Sequence, residues 1–282
     1  MSVGILNAIA AMAPVERSVG NAYGPGARHR LDVYLPAKRP DTALPVAFFL
    51  YGGGWDSGER SMYRFVGSAL ASHGFVTVIP DYRVYPETLF PGFIQDAALA
   101  LRWTANTIAG LGGDATRLAL VGHSAGAHIA AMLAFDRRWL GHVGLSSASF
   151  VRAWVGLAGP YDFLPLHSPV LQTIFGPEAG LAATQPINFV GPVSPPTLLL
   201  TGGNDTVVDP QNSARLFRRI RQEGGDAVHK LYPRLGHAPL IGTFSPVLRA
   251  LAPALRDTVA FLRQHTGPQL PADPSTEVSA SC

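Results

Sequence analysis

Short apolar runs bounded by Gly, Pro and Asp recur along the chain: LDVYLP from position 31, PVAFFLY from 45, FVTVIP from 75, RLALVG from 117, AWVGLAG from 153, TLLLTGG from 197 and AVHKLYP from 227. Their lengths and breakers predict strands. The later runs are continuously apolar rather than alternating, the pattern of a parallel sheet covered by helices on both faces. Between them the spacing turns helical: Phe93, Ala97, Leu101 and Ile108; Ile129 with Leu133; Leu216 with Ile220; and the stretch from Val247 to Leu262. Alternating strands and helices predict a mostly parallel, doubly wound α/β sheet with its ligand site beyond the carboxyl ends of the strands.

Residues 159–196 break this alternation with many Pro and Gly, and are expected to form a small lid inserted over that edge. The reading is one catalytic domain over residues 1–265, followed by a Pro- and Ser-rich tail over 266–282 that is expected to be disordered. The first 14 residues, MSVGILNAIAAMAP, are apolar but too short to span a bilayer and lack a basic leading region. They read as a short docking helix. A signal peptide is the competing reading, because AMA resembles a small-residue cleavage site.

Composition narrows the classes of function. With 282 residues, 47% apolar and 15% charged, the chain can bury one large core. The net charge of +3 is scattered, and Arg215, Arg218, Arg219 and Arg221 fall at the polar spacing of a helix face, so no nucleic-acid partner is expected. The single cysteine, Cys282, forms no intrachain disulfide and fits a cytoplasmic setting, with export as the alternative. No His/Cys/Asp cluster has ligand spacing and no Gly-rich loop has the phosphate pattern, so neither metal nor cofactor is expected. The sequence leaves a homodimer open.

A G-x-S-x-G match alone carries modest weight. Here the apolar strand LALV runs into Gly122, His123, Ser124, Ala125 and Gly126, and the helical segment AHIAAMLAF follows, which is the strand-turn-helix the motif requires. Ser124 is the candidate nucleophile. The N–H of Ala125, free at a helix start, is a candidate oxyanion donor. PVAFFLY leads into Gly52, Gly53, Gly54 and Trp55, and consecutive glycines can turn several N–H groups to one cavity, so Gly53 and Gly54 are the second donors.

Serine needs a base and the base needs an acid, in the chain order Ser, acid, His. Of nine histidines, only His229, His237 and His265 follow a suitable acid. His229 lies within a strand run and His265 borders the tail, which leaves His237 in LGHAPL. After TLLLTGG the acid is Asp205 or Asp209. Asp209 precedes Pro210 and a helical run, the signature of a helix cap, so Asp205 is preferred. Asp81, Arg83 and Glu87 in PDYRVYPE are expected to form an ion pair bracing a loop, and His128 is expected to point into the fold. Trp55, His123, Tyr161 and Phe163 are candidates for substrate contact, with Leu164 and Phe175 beside them; ordinary core packing competes for the lid residues.

These residues resemble the α/β-hydrolase superfamily, in its hormone-sensitive-lipase-like and kynurenine-formamidase-like esterase branch. YGGGW stands where that group usually carries HGGGW, PDYRVYPE resembles its DYRLxPE block, and GHSAGAH, GNDTVVDP and LGHAPL follow in the expected order. The resemblance covers most of the chain and implies the α/β-hydrolase fold. It also implies cleavage of carboxylic esters, short-chain or small aromatic, through an acyl-enzyme on Ser124. Tyr51 departs from the group's histidine. An arylformamidase-type amide hydrolase uses the same residues and is the alternative; a non-catalytic ligand receptor is the third reading, disfavoured by an intact Ser, Asp and His set.

Overall fold

The computed structural model describes residues 3–267. An eight-stranded sheet has the order β1-β2-β4-β3-β5-β6-β7-β8, with β1 Val15–Ala22, β2 Arg30–Pro36, β3 Leu44–Leu50, β4 Val76–Pro80, β5 Gly113–His123, β6 Val151–Leu157, β7 Thr197–Gly202 and β8 Ala227–Tyr232. The pairs β1–β2 and β2–β4 are antiparallel, and the remaining pairs are parallel. The central strands are buried along their length, as continuous apolar runs require. This is the mostly parallel α/β-hydrolase architecture that the motifs imply.

The differences have local causes. Strand β1 was invisible to the apolar pattern because none of its residues is fully buried. The run from Val247 to Leu262 is not one helix: a single 3-10 turn ends at Leu251, and the helix Ala254–Thr266 starts only after Pro253, which cannot donate to a continuing ladder. That helix takes in Thr266, the first residue of the expected tail; residues 268–282 of the tail lie outside the described residues. The N-terminal helix Val3–Ala10 buries Leu6 and Ala10 and hydrogen-bonds the next helical segment, Asn7 Oδ1 accepting from the Phe65 N–H at 3.1 Å.

Residues 159–196 contain the helix Pro169–Phe175 and two 3-10 segments, Glu178–Thr184 and Pro186–Phe189. The segment is stitched down by buried amides. Asn212 Oδ1 accepts from the N–H groups of Tyr161 and Asp162, both at 2.9 Å, and Gln185 Oε1 accepts from the Phe163 N–H at 2.8 Å.

Asp81, Arg83 and Glu87 do not pair with one another, contrary to expectation. Asp96 on the helix Gly92–Thr107 is fully buried and needs a cation, and the Arg83 guanidinium supplies it through bonds of 2.9 and 2.8 Å. Asp81 binds the Arg60 guanidinium, and Glu87 meets Arg28 at 2.9 Å. Each acid is satisfied by an element that sequence proximity does not reveal.

The helix Ala125–Phe135 is buried throughout and lies directly under the end of β3. A Cβ on Gly126 would stand 2.1 Å from the Leu50 carbonyl oxygen and 2.3 Å from that of Tyr51, backbone atoms that cannot step aside. Gly126→Ala is expected to cost about 3 kcal/mol or more in urea denaturation. Gly141→Ala, where the added atom meets nothing within 4 Å, should stay within about 1 kcal/mol of the parent. Equal midpoints for the two variants would refute the close approach.

Candidate active site

Strand β5 ends at His123 and the next helix starts at Ala125, so Ser124 alone makes the turn, at φ 55° and ψ −125°. A non-glycine residue there is strained by about 1–3 kcal/mol. Three backbone bonds hold it: the Ser124 N–H donates to the Leu157 carbonyl at 2.9 Å, and the Ser124 carbonyl accepts from the N–H groups of Ala127 at 2.9 Å and His128 at 3.2 Å. Gly122 permits the turn, since a Cβ there would sit 2.5 Å from the Ala127 Cα.

The loops after β7 and β8 bring the other two groups. His237 Nε2 lies 2.8 Å from Ser124 Oγ, and His237 Nδ1 lies 2.8 Å from Asp205 Oδ2. The second oxygen of Asp205 accepts from the Val207 and Val208 N–H groups, both at 2.9 Å, which fixes the carboxylate plane. His237 is the first residue of a short helix, His237–Gly242, rather than part of a free loop. Asp209 is engaged elsewhere: its carboxylate accepts from the Gln211 N–H at 3.0 Å, the capping contact expected before the helix Gln211–Gln222.

The loop Gly52–Trp55 crosses in front of Ser124, and a Cβ on Gly52 would come within 2.8 Å of the serine Cβ. Gly53 at φ +146° and Gly54 at φ +61° occupy conformations that suit glycine. Among the described residues, the N–H groups of Gly53, Gly54 and Ala125 donate to no backbone carbonyl outside the regular elements and to no side chain. Gly54, Trp55, Ser124, Phe163, Leu166 and Val208 line a cavity of about 620 Å³.

Two candidates for substrate contact lie elsewhere. Tyr161 is fully buried, its ring edge-on to Trp154 at 5.5 Å, so it packs in the core. His123 does not face the cavity either; its ring sits 4.9 Å from that of His237. Trp55 lines the cavity and packs on Phe163 at 5.7 Å, Phe175 at 4.8 Å and His128 at 5.2 Å. The sequence did not single out the polar rim. Arg215 Nε lies 2.6 Å from Asp162 Oδ2, and both residues line the same cavity. They are 53 positions apart, and no local pattern joins them.

Both buried histidines near the serine are neutral at neutral pH. Burial, reinforced by the nearby His237, pushes His123 down to about 3, and burial pushes His128 down to about 4 against a bond from its Nε2–H to the Thr184 carbonyl at 2.8 Å. An unfolded histidine takes its proton near pH 6.5. Between that value and the native ones the unfolded chain binds more protons, so stability falls as pH drops below 6.5. The expected loss is about 1.4 kcal/mol per pH unit for each histidine. The urea midpoint should fall from pH 6.5 to 4, and His128→Gln should flatten that slope; an unchanged slope contradicts it.

The chain is 31% identical to a probable isoprenylcysteine alpha-carbonyl methylesterase, ICMEL1, from Oryza sativa subsp. japonica over 77% of its own length and 56% of that protein's. It is 30% identical to Esterase LipC of Mycobacterium tuberculosis over 76% of this chain and 58% of that one. It therefore spans little more than half the length of these relatives. Among solved structures, esterase B from Lactobacillus rhamnosis superposes with a TM-score of 0.76 at 23% identity, covering 93% of each chain. A truncated carbohydrate esterase from gut microbiota gives 0.77 at 22% identity, over 90% of this chain and 97% of that one. The BD-FAE family profile matches residues 31–220, from strand β2 to the helix after Asp209. The chain belongs to the BD-FAE family, on the α/β-hydrolase fold.

Proposed function

We propose that the chain is a serine carboxylic-ester hydrolase acting on short-chain or small aromatic esters through an acyl-enzyme on Ser124. The observation that carries the proposal is the pair of 2.8 Å hydrogen bonds of His237, one to Ser124 Oγ and one to Asp205. The names of the relatives, methylesterase and esterase, support ester cleavage. The aromatic wall of Trp55 and Phe163 beside Ser124 supports a small acyl group.

In this reading His237 Nε2 takes the hydroxyl proton as Ser124 Oγ bonds to the acyl carbon. The carbonyl electron pair moves onto oxygen, where the N–H groups of Ala125, Gly53 and Gly54 receive it; each such donor contributes about 3 kcal/mol. Asp205 holds the tautomer with the proton on Nδ1 and stabilises the imidazolium. Collapse breaks the bond to the alcohol, which leaves with the proton from Nε2. Water repeats the steps, releases the acid and restores Ser124. The single cysteine at position 282 supports a reducing cytoplasmic setting.

On p-nitrophenyl esters from acetate to hexanoate, Ser124→Ala is expected to lower kcat by about a millionfold. Asp205→Asn should lower it about ten-thousand-fold, whereas Asp209→Asn, which keeps a capping oxygen, should stay within about threefold. N-formylkynurenine, assayed in parallel, tests the amide alternative. A wild-type chain inert to every ester, or an active Ser124→Ala variant, sinks the proposal.

A further inference from the structure

Tyr51 stands immediately before the glycine loop and is completely buried. We propose that Tyr51, through its hydrogen bond to Asp81, is a positioning residue that fixes the direction of the oxyanion-loop N–H groups; the inference rests on the hydrolase reading of Ser124. Its ring is the middle of a three-ring stack, with Tyr82 at 4.6 Å on one side and Tyr63 at 5.5 Å on the other. Its hydroxyl donates to Asp81 Oδ1 at 3.1 Å.

The outer rings act on the loop directly. Tyr82 donates its hydroxyl to the Tyr51 carbonyl at 2.6 Å, and Tyr63 donates to the Gly52 carbonyl at 3.3 Å. The next carbonyl, of Gly53, accepts from the Ser57 N–H at 2.9 Å and the Ser57 hydroxyl at 2.8 Å. Three successive carbonyls are thereby pinned. Because a trans peptide is planar, with C=O and N–H antiparallel, pinning these carbonyls aims the N–H groups of Gly52, Gly53 and Gly54 the opposite way. Glycine, free in both dihedrals, could not hold that aim by itself.

Tyr51 ties the stack to the frame. Asp81 follows strand β4 and also accepts from the Arg60 N–H at 2.6 Å and from the Arg60 guanidinium. Arg60 continues to Asp32 on strand β2 at 2.8 Å. Burial raises the Tyr51 phenol well above its usual value, so the hydroxyl remains a donor across the working pH range. A neutral phenol between two phenols thus stands immediately before the glycine loop.

Tyr51→Phe keeps the stack and removes only the bond to Asp81. The expected result, on p-nitrophenyl butyrate, is a kcat roughly tenfold lower with KM within twofold, smaller than losing a direct donor. Affinity for a boronic acid that forms a tetrahedral adduct on Ser124 should fall by the same tenfold, because both need the aimed N–H groups. Tyr63→Phe, which frees the Gly52 carbonyl, should give the same split and serves if Tyr51→Phe does not fold. A folded variant whose kcat and boronate affinity change by less than twofold, or whose KM rises at constant kcat, overturns the positioning role while leaving Ser124 as nucleophile. A wild-type chain with no esterase activity overturns the hydrolase reading and this proposal together.

Discussion

Ser124 is held at a positive φ of 55°, and the rest of the site depends on that strained turn. A turn of this kind survives only where its surroundings over-determine it. Gly122 lets the strand fold back on the helix, Gly126 lets the helix approach the end of β3, and Gly52 lets the glycine loop pass the serine. A side chain would strike backbone at Gly122 and Gly126 and the Ser124 Cβ at Gly52. The motif glycines are thus packing constraints first, and their chemical consequence is that a hydroxyl, a helix N-terminus and a second loop share one small volume.

The aromatic groups packed around that point are neutral. His123 and His128 are buried in the neutral form, and Tyr51, Tyr63 and Tyr82 remain phenols. Two sets of ion pairs sit one layer out, Arg60 between Asp32 and Asp81 and Arg83 on Asp96, while the Arg215–Asp162 pair borders the cavity itself. Among the described residues the imidazole of His237 has one carboxylate partner, Asp205.

An irregular segment borders the site. Residues 159–196 have little periodicity, yet the side chains of Asn212 and Gln185 satisfy their backbone amides, and Phe163 and Phe175 pack on Trp55. The cavity wall is therefore built from two distant stretches whose rings interlock, with Arg215 and Asp162 closing the polar side.

What the sequence determined follows from local rules. Apolar runs and helical spacing gave the α/β class, because burial of strands and helix faces leaves periodic traces; glycines around Ser124 and the cap at Asp209 announced their roles, because turn and cap geometry is set by neighbours in the chain. Strand β1 left no such trace, since it buries no side chain fully. Only the tertiary structure decided that Tyr161 supports the core, that Asp81 belongs to Arg60 and Tyr51 rather than Arg83, and that Tyr82 and Tyr63 bond the carbonyls of Tyr51 and Gly52. The bonds of Asp81 to Arg60 and Tyr51, and of Tyr82 to the Tyr51 carbonyl, join residues 21 to 31 positions apart, and their strength comes from burial and direction, which a linear pattern does not encode.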